Sequence, residues 1–213
     1  MIRLLFVKNC YLICLMLFLL FGVLKGQNKE VFCIKTDSAP IIDGDMSDSV
    51  WQNAIPITDF LQQDPIPGVN PRFKTEVRVL YDNDKIYFGI YCYDDNPNDI
   101  IAREMKWDGY ISKDDYFRII IDTYNDDRNA YWFAINPLSA QNDALVTGND
   151  YSGFNEDWDG VWEVKAKITE KGWFAEVAYP FFMFRFFDKD EQIWGVNFER
   201  CIKRYDEVIL WTS

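Results

Sequence analysis

The sequence predicts an all-β fold, an antiparallel β-sandwich of jelly-roll type with one or two short helical turns. Three observations carry that prediction. From Phe73 onward, runs rich in aromatic and β-branched residues alternate with period two. Clusters of Asp, Asn and Gly break these runs at short intervals, which is turn chemistry. Helical periodicity is scarce, and seven or more short strands without crossover helices close most simply as two packed antiparallel sheets.

The elements follow in chain order. Residues 1–26, "MIRLLFVKNCYLICLMLFLLFGVLKG", place Arg3 and Lys8 ahead of an apolar run from Cys10 to Leu24, the pattern of a cleaved secretory leader. The run is shorter than the roughly 20 apolar residues of a membrane span. In "PIIDGDMSDSVWQNA" (Pro40 to Ala54), Asp43 and Gly44 read as a turn, Asp45 or Ser47 as an N-cap, and Trp51 as an anchor in the core. "DPIPGVNP" (Asp64 to Pro71) is a proline-rich loop. "FKTEVRVLY" and "KIYFGIYCY" flank "DND" and form a hairpin. Further strands are expected at Tyr116 to Asp122, Ala130 to Asn136, Val161 to Ile168, Gly172 to Tyr179 and Ile193 to Arg200. A helical turn is expected after Pro180. "EVILWTS" reads as the start of a strand or loop, with the expectation that the chain is the head of a larger protein.

The 213 residues carry 22 basic and 34 acidic side chains and no histidine, for a net charge of −12. Removing the leader takes away Arg3, Lys8 and Lys25 and no acid, so the charge becomes −15. Such a surface repels phosphate backbones, which excludes nucleic acid as a partner. The absence of histidine excludes the usual hydrolytic triads and histidine metal sites. Cys33, Cys92 and Cys201 remain after the leader, and their spacing matches no metal motif, so they are expected as buried or singly bridged thiols.

Three aspartates, Asp43, Asp45 and Asp48, crowd the Pro40–Ala54 stretch, yet an EF-hand count starting at Asp43 puts Asp48 where glycine belongs and Ala54 where glutamate belongs. Two readings stand for these carboxylates: a turn with a helix cap, or a calcium site of another type, with Asp43, Asp45 and Asp94 as candidate ligands. Glycosidase chemistry needs two carboxylates flanking a cleft. Asp114, Asp115, Glu156, Asp157, Asp159 and Glu199 are available, but solvated acids are equally common on strands and turns.

Aromatic residues make up 17% of the chain. Sugars stack their C–H faces on such rings while their hydroxyls meet Asp, Asn, Gln and Arg. Trp107 and Trp158 lie in acidic loop segments, "MKWDGY" and "NEDWDG", and are the candidate platforms. Trp51, Trp132, Trp162, Trp173 and Trp194 sit in helical or strand patterns and read as core. Arg118, Asn136 and Gln141 are the candidate hydroxyl partners.

Taken together, "PIIDGDMSDSVW", "TEVRVLYDNDKIYFGIYCYDDNP", "DDYFRIIIDTYNDDRNAYWFAINPLSAQND", "WDGVWEVKAKITEKGWFAEVAYPF" and "WGVNFERCIKR" resemble family 9 carbohydrate-binding modules, in the form found at the N-terminus of large secreted or outer-membrane proteins of Bacteroidetes-type bacteria. The resemblance runs from about Ser38 to the end, within a domain of residues 27–213. It implies a non-catalytic β-sandwich with structural Ca2+ that binds plant-type polysaccharides beside glycoside hydrolases. It also implies a secreted, periplasmic or outer-membrane setting in a Gram-negative bacterium. The family's carboxylate and arginine positions fall on Arg118 and Ala134, and Trp107 stands nearest its first tryptophan. The alternative is a non-binding structural accessory domain of an outer-membrane protein.

Overall fold

The computed structural model describes residues 29–148 and 153–212. The predicted leader lies outside them. The chain divides into two units, residues 1–30 and 31–213, and every element named below belongs to the second. Two sheets pack face to face. The first contains β1 (Ile34–Lys35), β3 (Thr75–Tyr81), β4 (Lys85–Tyr93), β10 (Gly172–Pro180) and β9 (Glu163–Thr169), in that order across the sheet. The second runs β2 (Leu61–Asp64), β12 (Glu207–Leu210), β11 (Gly195–Ile202), β5 (Tyr116–Asp122), β6 (Asn129–Ile135), β7 (Gln141–Thr147), β8 (Phe154–Asn155). All neighbours are antiparallel except β1 with β3. The helical content of the described residues is single 3-10 turns, two of them at Ser49–Asn53 and Phe181–Met183.

The predicted strands form within a residue or two of their expected bounds. β7 and the short β1, β2 and β8 are not among the expected strands, because "QNDALVT" has no clear aromatic or β-branched alternation and strands of two to four residues carry too little of a period. The β3–β4 turn is closed by Asp82, whose Oδ1 accepts the N–H groups of Asp84 and Lys85 at 2.8 Å each.

Alternation sorts the side chains. Val77, Val79, Phe88, Ile90, Trp173, Val177 and Tyr179 of the first sheet meet Phe117, Ile119, Ile121, Phe133, Ile135, Phe198 and Ile202 of the second in one core. The outer face of the first sheet is covered in part by residues 34–54, where Trp51, Ala54, Leu80, Tyr87 and Ala178 form a second cluster. Here the "IDG" stretch acquires a physical meaning. Glu176 on β10 is fully buried; its Oε2 accepts the N–H groups of Asp43 (3.0 Å) and Gly44 (2.8 Å), and its Oε1 accepts the indole N–H of Trp51 at 2.8 Å. Gly44 turns the chain with φ +79°, and a Cβ at Gly89 would stand 2.5 Å from Met46 and 3.0 Å from the Trp51 ring. Asp43 Oδ1 accepts the N–H of Asp45, as the turn reading expects. Neither Asp45 nor Ser47 caps the helical turn: it starts at Ser49 after Asp48, without a side-chain cap.

Candidate functional site

With the first sheet partly covered, the outer face of the second sheet is the place to build a site. Phe117, Ile119 and Ile121 of β5 point into the core, so Tyr116, Arg118 and Ile120 point away from it. Register then aligns one row across four strands: Glu199 of β11, Arg118 of β5, Ala134 of β6 and Asn142 of β7. Trp132 occupies the next row, opposite Ile120.

The row carries charge beside rings. Glu199 Oε1 accepts from Arg118 Nη1 at 2.6 Å and from the Tyr116 hydroxyl at 2.8 Å. The Arg118 guanidinium lies 4.1 Å from the Tyr116 ring centroid and 5.1 Å from that of Trp132. Phe154 meets Trp132 edge-on at 5.3 Å. Burial raises the Tyr116 phenol well above its ordinary range, so the hydroxyl remains a donor to Glu199 at every physiological pH. Arg118 and Glu199 keep 23% and 18% of their side-chain surface exposed. Glu199 Oε2 and the second Arg118 nitrogen are therefore an acceptor and a donor, side by side, next to aromatic surface.

The segment from Ile101 to Asp115 borders this face. Its organiser is Asp114, buried before β5, whose Oδ2 accepts the N–H groups of Arg103 and Glu104 and the Asn136 side-chain amide, each at 2.9 Å. Glu104 Oε1 accepts the N–H groups of Met105 and Lys106 at 2.9 Å. Asp108, left-handed at φ 53°, donates its N–H to the Gln141 carbonyl. Ile111 packs with Tyr116, Ala134 and Cys201 on the sheet. The loop so held leaves Met105, Trp107 and Tyr110 exposed.

The predicted residues fall in different places. Arg118 is at the centre of the row, and Trp107 is exposed on the bordering loop. Trp158 turns inward, edge-on to Tyr131 at 5.4 Å and Phe133 at 6.2 Å, and packs on the core rather than presenting an open ring face. Asn136 is completely buried and its amide is fully engaged: it donates to the Glu104 carbonyl and to Asp114, and accepts from Leu138 and Ala140. Gln141 is buried with its Nε2 unpartnered. Tyr116 carries no signal in the sequence, Glu199 stands there only among the available acids, and Trp132, which reads there as core, is half-exposed on the outer face of β6. The signal for Trp132 was present, since Tyr131, Phe133 and Ile135 form the core set of β6 and leave Trp132 and Ala134 on the other face.

The candidate calcium ligands do not converge. Asp94 is buried and pairs with Arg204 at 2.7 Å, which supplies the charge that a cation would. Asp43 and Asp45 face Lys167 at 4.0 and 3.7 Å. Among the described residues no group of three or more carboxylates or thiols is arranged to hold a metal ion. Asp114 and Asp115, available acids in the sequence, are buried supports of the loop and of Lys203 N–H. Cys33 is an exposed free thiol, and Cys92 and Cys201 are buried free thiols.

The fold recurs in solved structures. A family 9 carbohydrate-binding module from Caldicellulosiruptor kristjanssonii, determined with glucose and with cellotriose, matches at TM-scores of 0.55 and 0.54 and 12% identity. It covers 85% of this chain and 84% and 82% of those chains. A candidate carbohydrate-binding protein from Bacteroides uniformis ATCC 8492 matches at a TM-score of 0.64 and 13% identity, covering 85% of this chain and 88% of that one. No curated protein sequence matches the chain. A model of the family described as carbohydrate family 9 binding domain-like matches residues 42–202. With three quarters of its length so matched, on a two-sheet sandwich of the same fold as solved members, this chain belongs to the carbohydrate family 9 binding domain-like family.

Proposed function

We propose that this protein is a non-catalytic carbohydrate-binding module that takes polysaccharide on the outer face of its second sheet. The observation that carries the reading is the Glu199–Arg118 pair: an acceptor and a donor held side by side match two neighbouring hydroxyls of a pyranose. The half-buried Trp132 ring, over which the Arg118 guanidinium lies at 5.1 Å, offers its remaining surface for the sugar's C–H face. Arg118 stands where the resembled modules place a carboxylate, and Glu199 on the neighbouring strand restores the pairing from the other side. Family membership and the sugars bound by the Caldicellulosiruptor module support the same class of ligand. The leader-like sequence of residues 1–26 and the family resemblance support a secreted role in polysaccharide capture beside O-glycosyl hydrolases. Structural calcium is retained as an expectation of the resemblance, with no ligands assigned.

Affinity electrophoresis against soluble β-glucans, xylans and mannans, backed by a glycan microarray, tests the assignment. Arg118→Ala and Glu199→Gln should each weaken retention about tenfold or more, the worth of a charged hydrogen bond. Retention of wild type on no glycan at all would sink the reading. It would favour the alternative, a non-binding accessory domain, for which one observation speaks: the Arg118 guanidinium itself occupies the space between Tyr116 and Trp132.

A further inference from the structure

Rings and polar groups also converge at a second place, off the end of β5. The chain turns there through Thr123–Asn125, and the connection from β10 to β11 folds beside it. Between them lies a groove of about 440 Å3 lined by Tyr124, Asn125, Phe187, Lys189, Glu191 and Ile193 among others. That volume is within the range of small-ligand clefts, about 300–1,000 Å3. Phe187 and Ile193 are 52% and 71% exposed, and Tyr124 meets Phe187 edge-on at 5.0 Å.

Both walls are held by side chains. Asp122 accepts the N–H groups of Tyr124 at 3.0 Å and of Asp126 and Asp127 at 2.8 Å, which fixes the first turn. Gln192 donates from Nε2 to the carbonyls of Phe187 and Lys189 at 2.8 Å each, and its Oε1 accepts the Trp194 indole N–H at 3.3 Å. The second wall is thus clasped with its apolar side chains turned outward. A loop ordered in this way loses little further entropy on binding. The Tyr124 hydroxyl, the Asn125 amide and the Glu191 carboxylate line the groove, and the Lys189 ammonium lies over the Phe187 ring, 4.9 Å from its centroid, so donors and acceptors border the ring.

We propose that this groove is a second glycan site, which takes one or two pyranose units of a neutral polysaccharide. The part of the half-exposed Phe187 ring that Lys189 and Tyr124 leave open supplies a stacking surface, and the four polar groups supply hydroxyl partners. Lys189 is flanked by Asp188, Asp190 and Glu191, so the wall is net acidic, and with the acidic chain as a whole it disfavours a polyanion. Asp122 is four residues beyond Arg118 on β5, about 13 Å away at the rise of a strand. The groove is therefore separate from the Arg118–Glu199 row, and shares with the proposed function only the class of ligand.

The test is amide chemical-shift mapping of the 15N-labelled protein against glucose, cellotriose, xylotriose and mannotriose, each to about 10 mM, enough to populate a millimolar site. The amides of Tyr124, Asn125 and Ile193 should shift with at least one of these sugars. Phe187→Ala should abolish those shifts while leaving the shifts around Arg118 and the melting temperature unchanged. Tyr124→Ser provides a second variant with the same expectation. Shifts around Arg118 with none at the groove overturn the second site and leave the first. Shifts at the groove with none around Arg118 sustain the second site and remove the first. Shifts at neither overturn both, and groove shifts that survive both substitutions show an indirect effect and overturn the second site.

Discussion

Glu176 shows how much one side chain can organise. Its two oxygens accept three N–H groups from a segment more than 120 residues earlier, so the carboxylate anchors residues 43–51 on the first sheet. Glu176→Gln must turn an NH2 group toward either the Asp43 and Gly44 amides or the Trp51 indole, so donor meets donor. We expect a loss of about 2 kcal/mol, read as a lowered urea midpoint. Asp115 makes a second prediction. Burial pushes its carboxyl up to about 6 from an ordinary 3.8, against the pull of Lys203 N–H and Arg200. The folded state then binds a proton more tightly than the unfolded chain does between about pH 4 and 6. Stability attributable to this group therefore falls as pH rises through that window, and is level above it. Asp115→Asn should flatten the urea-derived stability profile there by up to roughly 3 kcal/mol relative to wild type. An unchanged slope would show that Asp115 titrates normally.

At the scale of elements, the loop before β5 and the row of four strands depend on each other. The Asp114 carboxylate holds Arg103, Glu104 and Asn136, and through them the exposed Trp107 and Tyr110. Asp114→Ala should raise hydrogen exchange at Arg103, Glu104 and their neighbours about tenfold or more, with exchange in β5 and β6 much less affected. Affinity for any retained glycan should fall with it if the loop takes part in binding. The strand bounds were legible because alternation survives in "YFRIIID" and "AYWFAIN". β7 was not: Gln141 and Asp143 face inward at one edge of the sandwich, where Asp143 accepts the Trp162 indole and Gly160 N–H groups. A polar residue on a core-facing position hides the period on which strand recognition rests.

Over the whole molecule, the two sheets are tied by polar contacts as well as by the core. Arg200 of β11 is completely buried, and reaches across to the first sheet, where its Nη1 donates to the Lys74 carbonyl and Thr75 hydroxyl and its Nη2 to the Tyr93 carbonyl. Arg204 adds a second tie to Asp94. Arg200→Met keeps most of the volume but leaves these acceptors bare and removes a positive charge facing Asp115. We expect a loss of about 2–4 kcal/mol, because buried acceptors left without their charged donor cost about 1–3 kcal/mol each before relaxation, seen as a lower midpoint of a single unfolding transition by circular dichroism. A change under about 1 kcal/mol would indicate that the core alone joins the sheets.

The class of fold is legible along the chain, because hydrophobic alternation and turn residues are local and a strand shows its two faces within seven residues. So is the family, through "IDG", "DDYFRIIID" and "GWFAEVAYP" in order. Their contacts explain the first and last of these: Gly44 and Trp51 need the carboxylate that Glu176 supplies. The composition of the candidate site emerges only when the strands are packed. Which strand lies beside β5 is a matter of topology, and the β11 pairing that sets Glu199 against Arg118 joins residues 81 positions apart. The same holds for Asn136 and Trp158, whose types suit a sugar site and whose positions in the packed chain turn them to holding a loop and sealing the core. Residue type is written locally, but exposure is set by what the rest of the chain places on top.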